Sequence, residues 1–243
     1  MLLLVLVVAF VVLAHVSAVL GVVAFPFLGF AIGRAVIARW GLTGAQAPLF
    51  FILSAFLFSL LSPRGWETWV MLAMALVVFL LFVEEESPTS AFEGATLGLL
   101  LRRAPLVVFF SVYLAFASAS RLASFTSVFG VSAAVMMSFV WAFVAQFILG
   151  IIYDARQGQK REKAVRVVQA LVFGLCAGEA MLVTAFTPFV PLARATLLAT
   201  LFWVAIKISE ALDMRPPHVE KIAVSSAIGA IIVAVLFLTA PWP

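Results

Sequence analysis

The chain has 243 residues, of which 65% are hydrophobic and 11% are charged, and its formal net charge is +4. Soluble domains carry roughly 25% charged residues, so this composition excludes an ordinary soluble fold. The single cysteine, Cys176, excludes an intramolecular disulfide and a multi-cysteine metal site. The small positive charge is typical of basic loops at a membrane surface and does not indicate a nucleic-acid partner.

Long apolar runs separated by turn and charge clusters predict an all-α fold, a polytopic transmembrane helical bundle forming a single integral membrane domain over 1–243. The prediction is about eight spans, at 3–25, 47–62, 67–83, 105–120, 126–152, 167–187, 192–209 and 221–240. The fourth span ends in small and polar residues, and merging it with the fifth would give seven. Basic residues, acidic residues and prolines lie at the ends of corresponding spans in the two halves of the chain. This similarity suggests a loose 4+4 parallel repeat.

The first apolar run, from Leu2 to Gly33, is longer than one span needs. At 1.5 Å per residue it reaches about 48 Å, against a hydrocarbon core of about 30 Å. Either this helix tilts and protrudes, or Pro26 breaks it and leaves residues 27–40 as an interfacial piece.

An acidic cluster ends the third span. The cluster comprises Glu84, Glu85 and Glu86. It is either a solvated helix end or a docking or cation-facing surface. Beyond it, Ser90 and Glu93 have the spacing of a capping box. We therefore predict a short helix over 91–103 that lies in the inner interface without crossing the membrane.

Basic residues predict the orientation. With the N-terminus outside, every lysine and arginine except Arg64, Arg121 and Arg194 falls in an inner loop. The positive-inside rule therefore favours a multi-pass cell-membrane protein with both termini external. The most basic inner loop also predicts contacts with anionic lipids, through Arg156, Lys160, Arg161 and Lys163.

Glu179 is the strongest candidate for a functional residue, because an ionised carboxylate within a span costs several kcal/mol unless it is paired. Small residues at Ala170, Gly174 and Gly178 recur every four positions, which allows another helix to approach closely. Glu179 flanks this face, so it can point at a neighbouring helix. It is either a proton or cation site or a hydrogen-bonded structural residue.

His15 is the second candidate for a functional residue within the membrane. The alternative is a structural role, in which a neutral imidazole is hydrogen-bonded between helices. Its only fellow histidine, His218, lies in a loop, which excludes bis-histidine haem ligation within the bilayer. Gln146 and Gln169 add polarity that could line the same interior as Glu179.

Two further polar groups lie at helix ends. Lys207, Glu210 and Asp213 are three residues apart at the inner end of the seventh span, and they predict an ion pair with a cap or else an inner gate. Arg121, among several serines, is either a polar helix end or an anion site at the outer face.

Signatures of hydrolases, phosphate-binding loops and metal enzymes are absent from the sequence, so an enzyme is the least favoured class and no cofactor is expected. A small transporter or channel for an ion or small solute, using Glu179, is the first expectation. The alternative is a non-catalytic membrane subunit, an anchor or scaffold, in a homo-oligomer or with other membrane subunits. The scarcity of polar residues within the spans favours the alternative, since a permeation route needs lining groups.

Overall fold

The structure is a computed structural model, and it describes residues 7–9, 12–13, 15–62, 65–84, 93–124, 128–157, 162–213 and 219–239. All regular structure in these ranges is helical. Helical residues between 7 and 16 form what we call the N-terminal segment. They precede α1 (Ala18–Gly44), α2 (Gln46–Leu61), α3 (Trp66–Glu84), α4 (Glu93–Ser124), α5 (Val128–Gln157), α6 (Lys163–Ala185), α7 (Pro191–Asp213) and α8 (Val219–Thr239).

Five helices in the described part of the chain are long and apolar enough to cross a membrane, at Ala104–Ser124, Val128–Asp154, Lys163–Ala185, Pro191–Leu212 and Val219–Thr239. Three shorter apolar stretches lie at Phe27–Ala38, Gln46–Leu61 and Trp66–Phe79. The prediction of an all-helical chain is confirmed for the described residues, and five of their helices have the length and composition that a membrane span needs. The count of eight spans and the 4+4 repeat stay predictions.

The first apolar run is not one unbroken helix, and it breaks at Ser17 and not at Pro26. Ser17 has extended backbone angles (φ −145°, ψ 113°), and its side chain accepts a hydrogen bond from the Leu20 amide, so it caps the start of α1. Pro26 lies inside α1, which continues to Gly44. Serine competes with the helix for backbone hydrogen bonds, and here that local effect ends one helix and starts the next. Near its end α1 kinks at Gly41, whose φ of 68° suits only glycine without strain.

Residues 93–103 belong to one continuous helix with the spanning part of α4, and Pro105 lies within it. The predicted helix over 91–103 is therefore helical from Glu93 onward, but it is not separated from the span. Ser90, the other half of the expected capping box, lies outside the described residues. The interfacial position of this segment stays a prediction.

Contacts divide the chain into two units, which we describe separately. Unit 1 comprises residues 1–115 and 147–166. In it α1 packs on α2 and α2 on α3, and Phe51 stacks on Phe79 with ring centroids 5.3 Å apart. Asp154, near the end of α5, pairs with Arg166 of α6 at 3.5 Å. The aliphatic part of the Arg166 side chain lies over Gly150, where a Cβ atom would be 3.6 Å away.

Unit 2 comprises residues 116–146 and 167–243. Helices α7 and α8 pack tightly, with Gly229 directly against Val204. Helix α6 approaches α5 through Gly174, where a Cβ atom would lie 3.0 Å from the Phe139 carbonyl oxygen. The close approach predicted for the small-residue face is therefore confirmed, and its partner is α5. Phe202 of α7 contacts Phe116 and Phe173 edge-on.

Candidate functional sites

His15 is buried in unit 1, with 3% of its surface exposed. Its Nδ1 lies 3.3 Å from the Ser59 carbonyl oxygen, and its ring meets the Trp69 indole edge-on at 4.6 Å. A carbonyl oxygen only accepts, so Nδ1 carries the proton, and a neutral ring then presents Nε2 as an acceptor. Nε2 has no hydrogen-bond partner among the described residues. The imidazole thus has one nitrogen in a hydrogen bond and one buried nitrogen without a partner among the described residues.

Glu179 lies on the exposed side of α6. Its neighbours one and two turns away on the same side are also exposed, and all are large and apolar: Val172, Leu175, Val183 and Phe186. The buried glycines of α6 face α5 instead. We call this exposed side, with Glu179 at its centre, the α6 outer face. Glu179 therefore does not point into the interior formed by its own chain, and its role stays a prediction.

The polar residues expected to line the same interior as Glu179 lie on different helices and differ in burial. Gln146 is buried on α5, and its Oε1 has no hydrogen-bond partner within the described ranges. Gln169 is half-buried on α6, ten residues before Glu179 in the chain. His15 belongs to unit 1, whereas these three residues belong to unit 2. A polar interior shared by these residues stays a prediction.

The predicted ion pair at the end of α7 is present, because Lys207 Nζ lies 2.7 Å from Glu210 Oε2. Both side chains are partly exposed, as expected for a pair near a helix end. Lys163 is exposed at the start of α6. The remaining predicted residues have side chains outside the described part of the structure: Asp213, Glu84, Glu85, Glu86, Arg156, Lys160 and Arg161.

Arg194, which the sequence reasoning treated only as an outer-loop charge, is a buried cross-link in unit 2. It is 4% exposed, and its guanidinium donates to the carbonyl oxygens of Ser120 (3.3 Å), Thr187 (3.4 Å) and Phe189 (3.4 Å). One side chain therefore ties α4, the turn after α6 and the first turn of α7 together. A sequence signal existed in Pro191, which starts α7 and places Arg194 inside the helix.

Among the serines around Arg121, Ser124 bonds to its own helix, whereas the buried hydroxyl of Ser120 has no hydrogen-bond partner among the described residues. Ser124 Oγ donates to the Ser120 carbonyl oxygen at 3.0 Å, so that oxygen accepts from both Ser124 and Arg194. Ser118 and Ser120 are buried. The choice between a polar helix end and an anion site therefore stays a prediction.

No three His, Cys, Asp or Glu side chains among the described residues lie close enough to hold a metal ion. Two described cavities, of about 190 Å³ in unit 1 and about 230 Å³ in unit 2, are lined by hydrophobic side chains and Cys176.

No protein-family model, curated protein or solved structure matches the chain.

Proposed function

We propose that this chain is a non-catalytic integral membrane subunit that assembles with a second copy of itself through the α6 outer face. The observation that carries the proposal is the exposed Glu179 among exposed apolar side chains. A carboxyl group facing lipid alone is costly, so such residues usually meet another polar group. An interface between membrane helices would supply that group.

A second copy of the chain can supply the polar group that Glu179 needs. A protonated carboxyl group carries one donor and retains acceptor capacity, so two of them are mutually complementary. A twofold axis brings the same residue from both copies together. The apolar side chains on either side of Glu179 would then pack against their equivalents, and van der Waals packing and interhelical hydrogen bonds are what hold membrane helices together.

The transport function expected from the sequence uses Glu179 as a proton or cation site within the membrane. Glu179 lies on the exposed side of α6, and the described cavities have hydrophobic walls. A permeation route needs polar groups or carbonyls along its length. The subunit proposal requires no such route, and so it agrees better with the arrangement of the described residues.

The native chain contains its own reporter for this proposal. Cys176, the only cysteine, is exposed and lies three residues before Glu179, one turn away on α6. We expect a short bis-maleimide, added to native membranes, to link two chains through Cys176. Glu179→Gln should retain linking, because the amide also donates and accepts. Glu179→Leu should reduce linking about tenfold, as expected for the loss of an interhelical hydrogen bond of about 1–2 kcal/mol.

The control is Glu220→Leu, which removes an exposed carboxylate from the first turn of α8 and should leave linking unchanged. If wild-type Cys176 reacts fully with a mono-maleimide yet yields no linked pair, the assembly proposal is wrong. If Glu179→Gln retains linking but abolishes proton- or cation-coupled flux in proteoliposomes, the transport function replaces the subunit function.

For the topology, we propose eight spans with residues 1 and 243 on the outer side and the basic loop between α5 and α6 in the cytoplasm. The proposal is supported by the distribution of basic residues and by the five long apolar helices. In this orientation Lys163 is exposed at the inner surface, where anionic lipid head groups would meet it.

Cysteine labelling tests this orientation. In a Cys176→Ala background, a cysteine replacing Gln159 should resist an impermeant maleimide in intact cells and react after permeabilisation. A cysteine replacing Glu67, an exposed residue at the start of α3, should react in intact cells. Labelling of position 159 in intact cells would contradict the orientation.

A further inference from the structure

The cavity of about 230 Å³ in unit 2 lies between three of the long apolar helices, α4, α6 and α7. We call it the unit 2 cavity. Phe202 of α7 meets Phe116 of α4 and Phe173 of α6 edge-on, so each of the three helices contributes one ring to its wall. Apart from one thiol, the other described lining residues are small or aliphatic: Cys176, Ala177, Ala180, Leu198, Leu201 and Ala205. Such a wall offers a ligand van der Waals contacts and favours an apolar one.

The unit 2 cavity opens between α6 and α7. Three of its lining residues, Cys176, Leu201 and Ala205, are exposed, and we call this opening the cavity mouth. Behind it, the lining residues Leu198 and Phe202 are buried. A molecule that reaches these two residues must therefore have entered the cavity, whereas a molecule on the helix surface contacts only the mouth.

The cavity mouth lies near the middle of both helices. Leu201 is ten residues from Pro191 and eleven from Leu212, the two ends of the apolar stretch of α7. At 1.5 Å per residue each end is about 15–17 Å away, about half of a 30 Å hydrocarbon core. Cys176 is nine residues from Ala185, the nearer end of α6, which corresponds to about 14 Å. With α6 and α7 crossing the membrane, the mouth faces the ends of the acyl chains.

We propose that the unit 2 cavity binds the end of an acyl chain of a membrane phospholipid, which enters between α6 and α7. An engineered apolar cavity of about 150 Å³ binds benzene, so one of 230 Å³ has room for roughly nine carbon atoms. Van der Waals packing is a main source of association within a bilayer, and a chain end in the cavity gains such contacts on several sides. The head group stays at the membrane surface and takes no part in binding.

Two phosphatidylcholine photoprobes test the proposal on the full-length protein in phosphatidylcholine vesicles. Both have the same chains, but one carries a diazirine at the chain terminus and the other carries it next to the ester. After illumination, mass spectrometry of peptides locates the labelled residues. We expect the terminal probe to label the buried residues Leu198 and Phe202, because only the chain end enters the cavity. The ester-proximal probe should leave both unlabelled. Equal labelling of these residues by both probes would overturn the proposal.

Ile231, an exposed residue near the middle of α8, is the internal control, since a chain end in the surrounding lipid can reach it. The terminal probe should label Ile231 as well as the two buried residues. Labelling of Ile231 without Leu198 and Phe202 would overturn the cavity proposal alone. If the terminal probe labels none of the three residues, the crossing of the membrane on which the proposal rests is also wrong.

Two variants close the cavity mouth from opposite sides. Ala205→Leu and Cys176→Leu each place a larger side chain at an exposed position of the lining, so labelling of Leu198 by the terminal probe should fall about tenfold. Ala227→Leu, at an exposed alanine of α8, is the matched control and should leave the labelling unchanged. Undiminished labelling in both mouth variants would contradict the assignment. The comparison of the two probes on the wild type requires no variant.

The proposal rests on the crossing of the membrane by α6 and α7 and does not depend on assembly through the α6 outer face. In Glu179→Leu, linking through Cys176 should fall while labelling of Leu198 and Phe202 persists. Loss of that labelling in Glu179→Leu would show that the second copy, and not this cavity alone, holds the acyl chain.

Discussion

Gly174→Leu is expected to lower the free energy of unfolding by about 3 kcal/mol, the upper range for overpacking. Even a single Cβ atom at this position would lie 3.0 Å from the Phe139 carbonyl oxygen and 3.1 Å from its ring, so the α5 backbone itself must move. Leucine adds three more carbons to that contact. For a chain of this size, the midpoint of thermal unfolding in detergent should fall by roughly 6–12 °C.

Alanine substitutions at two neighbouring glycines of α6 isolate the cause. Gly174→Ala and Gly178→Ala gain the same helix propensity, about 1 kcal/mol each. At Gly178 a new Cβ atom would meet Phe139 and Val135 at 3.6 Å, which is ordinary contact. Gly178→Ala should therefore unfold roughly 2–4 °C above the wild-type midpoint, whereas Gly174→Ala should unfold below Gly178→Ala because its new Cβ atom meets the Phe139 backbone. Equal midpoints for the two variants would mean that the α5–α6 approach does not limit stability.

Arg194→Leu is expected to destabilise unit 2 by about 3 kcal/mol, comparable to breaking a buried charged contact. The substitution keeps an apolar stem but leaves the carbonyl oxygens of Thr187 and Phe189 without the donor that the structure shows. Arg194→Lys should recover only part of the lost stability. Lysine keeps the positive charge and a donor, but its ammonium group lacks the planar fork that reaches several carbonyl oxygens at once. Thermal unfolding measures both variants.

Arg34→Leu is the control for Arg194→Leu, because Arg34 is exposed and loses the same charge. Surface substitutions usually change stability by less than 0.5 kcal/mol, and we expect that here. Hydrogen exchange supplies a second readout, since the turn over 186–190 should exchange faster in Arg194→Leu alone. A variant as stable and as protected as the wild type would show that Arg194 does not tie these elements together.

Most helices were predictable because each apolar run is bounded by charged or turn residues that a lipid-facing helix excludes. The breaks within apolar runs were harder to predict, as the first run shows. Proline is the stronger helix breaker on average, yet here Ser17 ends a helix and Pro26 does not. The choice depends on whether a serine side chain finds the amide of Leu20, which is a matter of local geometry and not of residue type.

The positions of polar side chains relative to the core could not be read from spacing alone. Glu179 and the α6 glycines occupy adjacent faces of one helix, and only the packing of α5 decides which of these faces becomes exposed. The burial of Arg194 could not be predicted for a similar reason, because one of its acceptors, Ser120, is 74 residues away in the chain. Burial of a charge depends on such distant acceptors, which no local pattern reveals.

The length of α5 sets it apart from the other long helices. Its apolar stretch, Val128–Asp154, has 27 residues, whereas the other four have 21 to 23. At 1.5 Å per residue these four reach about 32–35 Å and match a plasma-membrane hydrocarbon thickness of about 32–33 Å, while α5 reaches about 40 Å. In a thinner bilayer the mismatch at α5 grows first, at a cost of a fraction of a kcal/mol per Å. We therefore expect α5 to tilt or protrude more than the other four helices when the bilayer is thin.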